Sequence, residues 1–451
     1  MKQSKYLIYF VAFLVLQPVI DVLTAGSKLL LNLDITFGVI IRFAYMAMMG
    51  LFLLWMAKSH KLARGYIFYL VGLAIVIAIN IMMNMNVKDP YYLFQELKFF
   101  NKVVYFHIAF LGLMIIYKEL QSRGWDIEKH TTKYMWLSGF IIGSVFVVAQ
   151  ITGTSLSNYA HTKTGYSGWF FAGNEIGAIM AIILPLLALY AIERTTEAKK
   201  PWFWIPFIML SLGMLALGTK VGYGGILIVL LSVLIGSLIM WLFMKVKTNQ
   251  VKSSLTISFG LMVLLAAATP FTPVFGNMYA HFDLLNIDWG DSASVELDEN
   301  GDEIEEEPIT NEEFQNLIFS SREKYAEDFK MDFDSAPLTQ KLFGMGLARN
   351  YDIPEPGKDL KMIEMDFHDM FYSFGWIGFF YIMAPFFWYT GKFVTRFIRN
   401  IKTYFNYLYI LYGVAFLLGI GISYTAGHVL TAPAVSIYIA AILAMVTIRS
   451  K

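Results

Sequence analysis

Arg322 in SSREKY and His368 in DFHDMF hold most of this chain's capacity for chemistry, and both fall in one polar stretch between apolar blocks. An arginine guanidinium grips phosphate oxygens in a bidentate fork, and an imidazole can exchange a proton near neutral pH. His368 stands where the chain turns from a polar stretch into the aromatic-rich run MFYSFGWIGFF, with Glu364, Asp366 and Asp369 around it. A neighbouring carboxylate there would fix the imidazole tautomer and raise its basicity; the competing reading is a capping or interfacial histidine. Lys220, in LGTKVGYGG, has glycines beside it that permit another backbone or a ligand to come close. Arg42 lies within an apolar run and has two readings, a substrate contact or an ion pair with Asp21 on a neighbouring helix. Lys98 and Lys102 open a further apolar run, where Lys102 can simply snorkel towards headgroups.

A second signal is GYSGWFFAGNEIGAIMAIILPLL at 165–187. Asn174 suits a helix cap, and Glu175 could orient a cation of the site. The remaining histidines, at 60, 107, 130, 161, 281 and 428, keep no zinc spacing, and the absence of cysteine removes thiolate metal sites and disulfides. No cofactor is expected.

These groups are positioned by membrane helices. Mean hydropathy of +0.56 is incompatible with an ordinary soluble domain, as are 57% hydrophobic and 15% charged residues in 451. Apolar runs of spanning length fall at roughly 6–24, 36–57, 66–83, 101–117, 133–152, 173–193, 202–218, 225–244, 255–271, 369–389, 406–424 and 431–448. The expectation is an all-α polytopic membrane protein of about twelve helices. Lys and Arg crowd into both termini and the loops near 60, 125, 197, 250 and 397, while the alternate short loops hold only Lys28, Lys88, Lys98, Lys102, Lys163 and Lys220. That asymmetry places both termini in the cytoplasm.

Three regions follow: helices one to nine in 1–271, an external loop at 272–368, and helices ten to twelve in 369–451. The loop contains an acidic segment at 291–309, too charged to bury, and a helix at 311–333. The helix carries a capping box, Thr310 with Glu313, and an apolar face of Phe314, Leu317, Ile318, Tyr325 and Phe329 with Arg322 at its boundary. Beyond it lies a glycine turn, Gly344-Met345-Gly346. The candidate cations and His368 thus share one lipid–water boundary, where a diphosphate could be clamped and a hydroxyl deprotonated. A transporter such as a flippase would instead set ionisable groups along a path at mid-membrane depth.

GWFFAGNEIGA before helix six, LGTKVGYGG after helix seven, SSREKY in a long outer loop and DFHDMFYSFGWIGFF at its end resemble the O-antigen ligase and O-antigen polymerase superfamily. The resemblance covers most of the chain. It implies a GT-C-like integral membrane glycosyltransferase of the bacterial cytoplasmic membrane that moves glycan from undecaprenyl diphosphate to an acceptor sugar, without metal. It implies that Arg322 and Lys220 hold the diphosphate and that His368 assists the acceptor hydroxyl; the residues themselves add Arg42 as a further diphosphate candidate and Asn174, Glu175 and Asp369 as supporting groups. Expected partners are the lipid-linked glycan, an acceptor glycan or other surface acceptor, membrane lipid and a chain-length regulator, with no nucleic acid. Two departures, Lys220 where ligases usually carry Arg and Asp369 where they carry Asn, favour a polymerase, or a ligase for another surface acceptor, over a lipopolysaccharide core ligase.

Overall fold

The computed structural model describes residues 2–33, 35–159, 163–198, 200–283, 322–354 and 359–449. The acidic segment, the Thr310–Glu313 capping box, Phe314, Leu317, Ile318 and His161 lie outside the described residues. Among those described, the chain is helical, with a lone antiparallel bridge between Ser157 and Tyr166.

The helices are α1 (Lys2–Leu29), α2 (Phe37–Ala57), α3 (Lys61–Val87), α4 (Leu93–Ser122), α5 (Ile127–Ile151), α6 (Gly173–Ala198), α7 (Ile205–Leu217), α8 (Lys220–Leu242), α9 (Asn249–Ala268) and α10 (Pro273–Asp283). They continue as α11 (Arg322–Ser335), α12 (Leu338–Phe343), α13 (Asp366–Arg399), α14 (Ile401–Tyr404), α15 (Tyr407–Thr425) and α16 (Pro433–Arg449). Ten are long and apolar enough to cross a membrane; α7 with the 3₁₀ turn before it, and α16, are shorter apolar helices. These ten and two coincide in number and order with the twelve apolar runs of the sequence.

The bundle is built around α6, whose apolar window is 94% buried against 17% for α9. Helix α6 is apolar on all sides, as a helix must be when protein surrounds it; it packs on α5, α7, α8, α9, α15 and α16. Small residues permit close approach without a hydrophobic driving force between helices: Gly139 of α5 seats Leu187 of α6, and Gly419 of α15 seats Ile439 of α16.

The tenth apolar run is broken within α13. Gly375 has φ 63° and ψ −173°, so residues 366–374 form a short half-helix ahead of the long one. The break frees carbonyls that need partners in a dry setting. The Gly344-Met345-Gly346 turn supplies them: Met345 N–H donates to Tyr372 O (2.9 Å) and Gly346 N–H to Ser373 O (3.0 Å). Asn80 of α3, fully buried, donates from Nδ2 to Ser373 O (2.8 Å) and Phe343 O (2.6 Å). A Cβ at Gly344 would strike Ser373 O, which explains glycine at that position beyond its φ of 93°.

Helix α11 lies over this half-helix. Phe329 and Phe333 pack with Tyr372, Met345, Ile363 and Met365 in a small core of their own. Arg349 forks onto Asp332, Nε to Oδ2 at 2.8 Å and Nη2 to Oδ1 at 3.1 Å, tying the following loop to α11. Arg322, at the first position of α11, is left facing the bundle.

Candidate functional site

The N-terminal ends of α4, α6, α8, α13 and α16 and the C-terminal ends of α7 and α15 meet at one end of the bundle, where two cavities adjoin. The larger, about 320 Å³, is lined by Arg322, Lys220, Lys163, Asn174, Tyr159 and Asn277 among others. Three residues far apart in sequence that were singled out for chemistry, Arg322, Lys220 and Asn174, thus share one wall.

Local structure sets each of them. Thr219 caps α8, accepting from Gly222 N–H at 3.1 Å, and makes Lys220 the first helical residue. Gly218, at φ 75°, turns the chain from α7 into α8. Asn277 bridges this turn to the loop carrying Lys163: its Nδ2 donates to Gly218 O (2.9 Å) and Thr164 O (2.6 Å), and its Oδ1 accepts from Thr164 N–H (3.0 Å). Asn174 is not a cap. Ile176 N–H bonds to Ala172 O, which puts Asn174 inside the first turn of α6, in the cavity wall. The N-termini of α6 and α8 both open here, and the positive ends of their helix dipoles add to the potential of the three cations. The Nε of Arg322 is buried and has no hydrogen-bond partner.

The smaller cavity, about 120 Å³, is lined by Gln95, Lys102, Glu175, Glu364, His428 and Thr431 together with Lys98, Asp359 and Asp369. Arg322 and Glu364 form the partition between the two, Nη2 to Oε2 at 3.0 Å. His428 Nε2 lies 3.7 Å from the same Oε2, an ion-pair distance too long for a hydrogen bond. Proximity to His428, and then Arg322, outweighs burial and holds the Glu364 carboxyl down to about 2. Burial pushes His428 down, but Glu364, with Asp366 and Glu175 beyond it, more than offsets this, so its pKa is raised. Glu364 (φ 66°) and His428 (φ 59°) both adopt the left-handed backbone that non-glycine residues rarely take.

Asp366 fastens this geometry. Its Oδ2 accepts from Val429 N–H and Leu430 N–H (both 2.8 Å) and Ser423 Oγ (2.9 Å), and its Oδ1 from Thr431 Oγ1 (2.6 Å). The start of α13 is thereby locked to the α15–α16 turn.

The sequence-predicted partners of His368 are therefore elsewhere. Glu364 faces Arg322 and His428; Asp366 holds the α15–α16 turn; Asp369 accepts from Ile363 N–H (2.9 Å) and Met365 N–H (3.0 Å), bracing its own loop. His368 packs its ring against Tyr424 at 5.6 Å, and its buried Nδ1 has no hydrogen-bond partner. It is in the lining of neither cavity, although Thr425 and Ala426, which follow Tyr424, line the larger one.

Arg42 takes the ion-pair reading: its guanidinium bonds to Asp21 and, at 2.9 Å, to Gln17 Oε1 in a separate cleft. Glu175 lines that cleft and the smaller cavity, not the larger one. His428, grouped in the sequence with the histidines that keep no zinc spacing, is the one in the cavity lining that meets a carboxylate. Its signal was the polar turn GHVLTAP between the last two apolar runs. Among the described residues no three His, Asp or Glu gather as a metal site.

Neither a curated protein nor a solved structure matches the chain. The model of the O-antigen ligase like membrane protein family matches residues 3–451, nearly the whole length. A multi-pass helical bundle carrying an Arg–Lys cavity at one end is thus accompanied by a full-length family match, and the chain belongs to the O-antigen ligase like membrane proteins.

Proposed function

We propose that the protein transfers glycan from an undecaprenyl-diphosphate-linked donor to an acceptor sugar at the outer face of the bacterial cytoplasmic membrane, with both termini cytoplasmic and 272–368 external. The observation that carries this reading is the larger cavity, where Arg322, with its unpartnered Nε, faces Lys220, Lys163 and two helix N-termini. A diphosphate needs such convergent positive charge, most of all as it departs. The sugar's anomeric carbon is already activated. The acceptor oxygen bonds to that carbon, the carbon–oxygen bond to the diphosphate breaks with its electron pair leaving on the phosphate, and the acceptor proton passes to a base. His368, at the start of α13 with an unfilled Nδ1, is our candidate for the base. Asn174 contributes an amide to the wall beside the diphosphate; Asp369 supports His368 indirectly, by bracing the loop that enters α13.

The departures at Lys220 and Asp369 favour a polymerase, or a ligase for a surface acceptor other than lipopolysaccharide core. A flippase reading finds no support at His107, midway along α4: its ring nitrogens face two backbone carbonyls, Val103 O (3.0 Å) and Ile382 O (2.8 Å), and a neutral ring donates to one of them. Purified protein given lipid-linked oligosaccharide tests the reading. Products that lengthen indicate a polymerase, products on a new acceptor a ligase, and no glycan transfer under either condition overturns it.

A further inference from the structure

The partition between the two cavities is an ion pair whose halves face different chambers. Arg322 lines the larger cavity and Glu364 the smaller. The guanidinium keeps an unpartnered buried Nε on top of its bond to Glu364, and His428 Nε2, across from the same carboxylate, is likewise buried without a hydrogen-bond partner. Hydrogen-bonding capacity is therefore unfilled on both sides of one carboxylate. The two residues flanking the smaller cavity, Glu364 and His428, are both held in left-handed backbone conformations, a strain that clusters where function over-determines geometry. Asp366 and Thr431 fix the turn that presents His428. Gln95, Glu175 and Lys102 complete a polar lining suited to sugar hydroxyls rather than lipid.

We propose that the smaller cavity is the acceptor-sugar subsite, that Glu364 and His428 bind the acceptor's hydroxyls there, and that the Arg322–Glu364 contact makes binding ordered, donor before acceptor. The inference rests on the glycan-transfer reading. A diphosphate in the larger cavity competes with Glu364 for the guanidinium. Once Arg322 turns to phosphate, the Glu364 carboxylate is free to accept from a sugar hydroxyl, beside a His428 ring that can donate to another. The cavity takes part of one sugar, leaving the rest of the glycan, with the hydroxyl that His368 deprotonates, outside its mouth.

The test uses full-length protein in detergent, with inorganic pyrophosphate as the probe of the larger cavity and lipid-linked oligosaccharide for transfer. Glu364→Gln keeps the shape and removes the competing charge. It is expected to bind pyrophosphate more tightly, by up to about five-fold, the share that a partly exposed ion pair withholds. The same variant should raise the acceptor KM by about ten-fold, the loss of a charge-assisted hydrogen bond, with kcat little changed. If Glu364→Gln fails to fold, Glu364→Asn serves, because asparagine accepts a positive φ. Unchanged pyrophosphate affinity, or a rise in donor KM with none in acceptor KM, would overturn the subsite and the order. Wild-type protein that neither binds pyrophosphate nor transfers glycan would instead remove the transfer reading, and this inference with it.

Discussion

Arg322 and Glu364 meet at 3.0 Å across 42 positions of sequence, and each faces a different cavity. The contact makes one side of the site sensitive to what occupies the other, and it sets which substitutions should separate binding from transfer.

The larger cavity should lose donor binding by charge before geometry at Lys220, and by geometry as well at Arg322. Lys220→Arg should retain much of the activity and Lys220→Ala little, since an ammonium acts as a point charge. Arg322→Lys should be costly, because a bidentate guanidinium grip on phosphate oxygens cannot be replaced by one ammonium. Pyrophosphate titration of each variant measures this directly, and unchanged affinity in Lys220→Ala and Arg322→Ala would discard the clamp.

His368 as base predicts a transfer rate that falls as pH drops through its pKa, since only neutral imidazole accepts a proton. His368→Ala should lose about 10²–10⁴-fold in single-turnover transfer while pyrophosphate binding survives. His368→Gln separates base from hydrogen-bond donor: full activity in that variant, with no acid limb between about pH 5 and 8, would retire the base assignment.

Asp366 should be a stability residue. Four donors converge on its buried carboxylate, and Asp366→Ala strands two buried backbone N–H groups, Val429 and Leu430, and frees the α15–α16 turn. Each unsatisfied donor costs about 1–3 kcal/mol, so a loss of at least about 2 kcal/mol is expected. Thermal unfolding in detergent reads it, and a wild-type midpoint would contradict the assignment.

The His428–Glu364 pair should tie stability to pH in one direction. The folded pKa of His428 is raised above its unfolded value, so its contribution is fully present below the unfolded pKa, near 6.5, and is lost as pH rises through the folded value. Glu364, held to about 2, stays ionised throughout this window, and Arg322, Asp366, Asp369 and Glu175 are the other ionisable groups nearby. Wild type should therefore gain thermal stability over His428→Gln as pH falls from about 8 to about 6. An equal gap at both ends would refute the linkage.

Orientation is testable because the chain has no cysteine. Ser335→Cys on α11, exposed in the structure, should react with an impermeant thiol reagent from outside intact cells, and Lys247→Cys should react only after permeabilisation. The reverse pattern would invert the topology drawn from Lys and Arg.

The helices were legible because spanning segments must be apolar for their full length, a signal that survives without tertiary information. Arg322, Lys220 and Asn174 were legible by type and loop placement, and the fold brings them to one wall. The neighbours of His368 were not. Glu364 precedes α13 in left-handed backbone while Asp366 and Asp369 sit in its first turn, so three carboxylates close in sequence reach three different partners. The break at Gly375 was hidden in an unbroken apolar run, since hydropathy does not register a single residue's φ. Arg42 offered two partners of equal chemical merit, and only the packing of α1 on α2 decides for Asp21.

The α15–α16 turn has a consequence for biosynthesis. Residues 426–432, which present His428 and fasten Asp366, leave the ribosome after Lys220, Arg322 and His368, and Asn80, which supports the half-helix from the other side, leaves before them. A nascent chain stopped before α15 would therefore carry Arg322, Lys220 and His368 yet lack the turn that fastens the start of α13. The entrance to α13 is thus fastened only once α15 and the turn after it are in place.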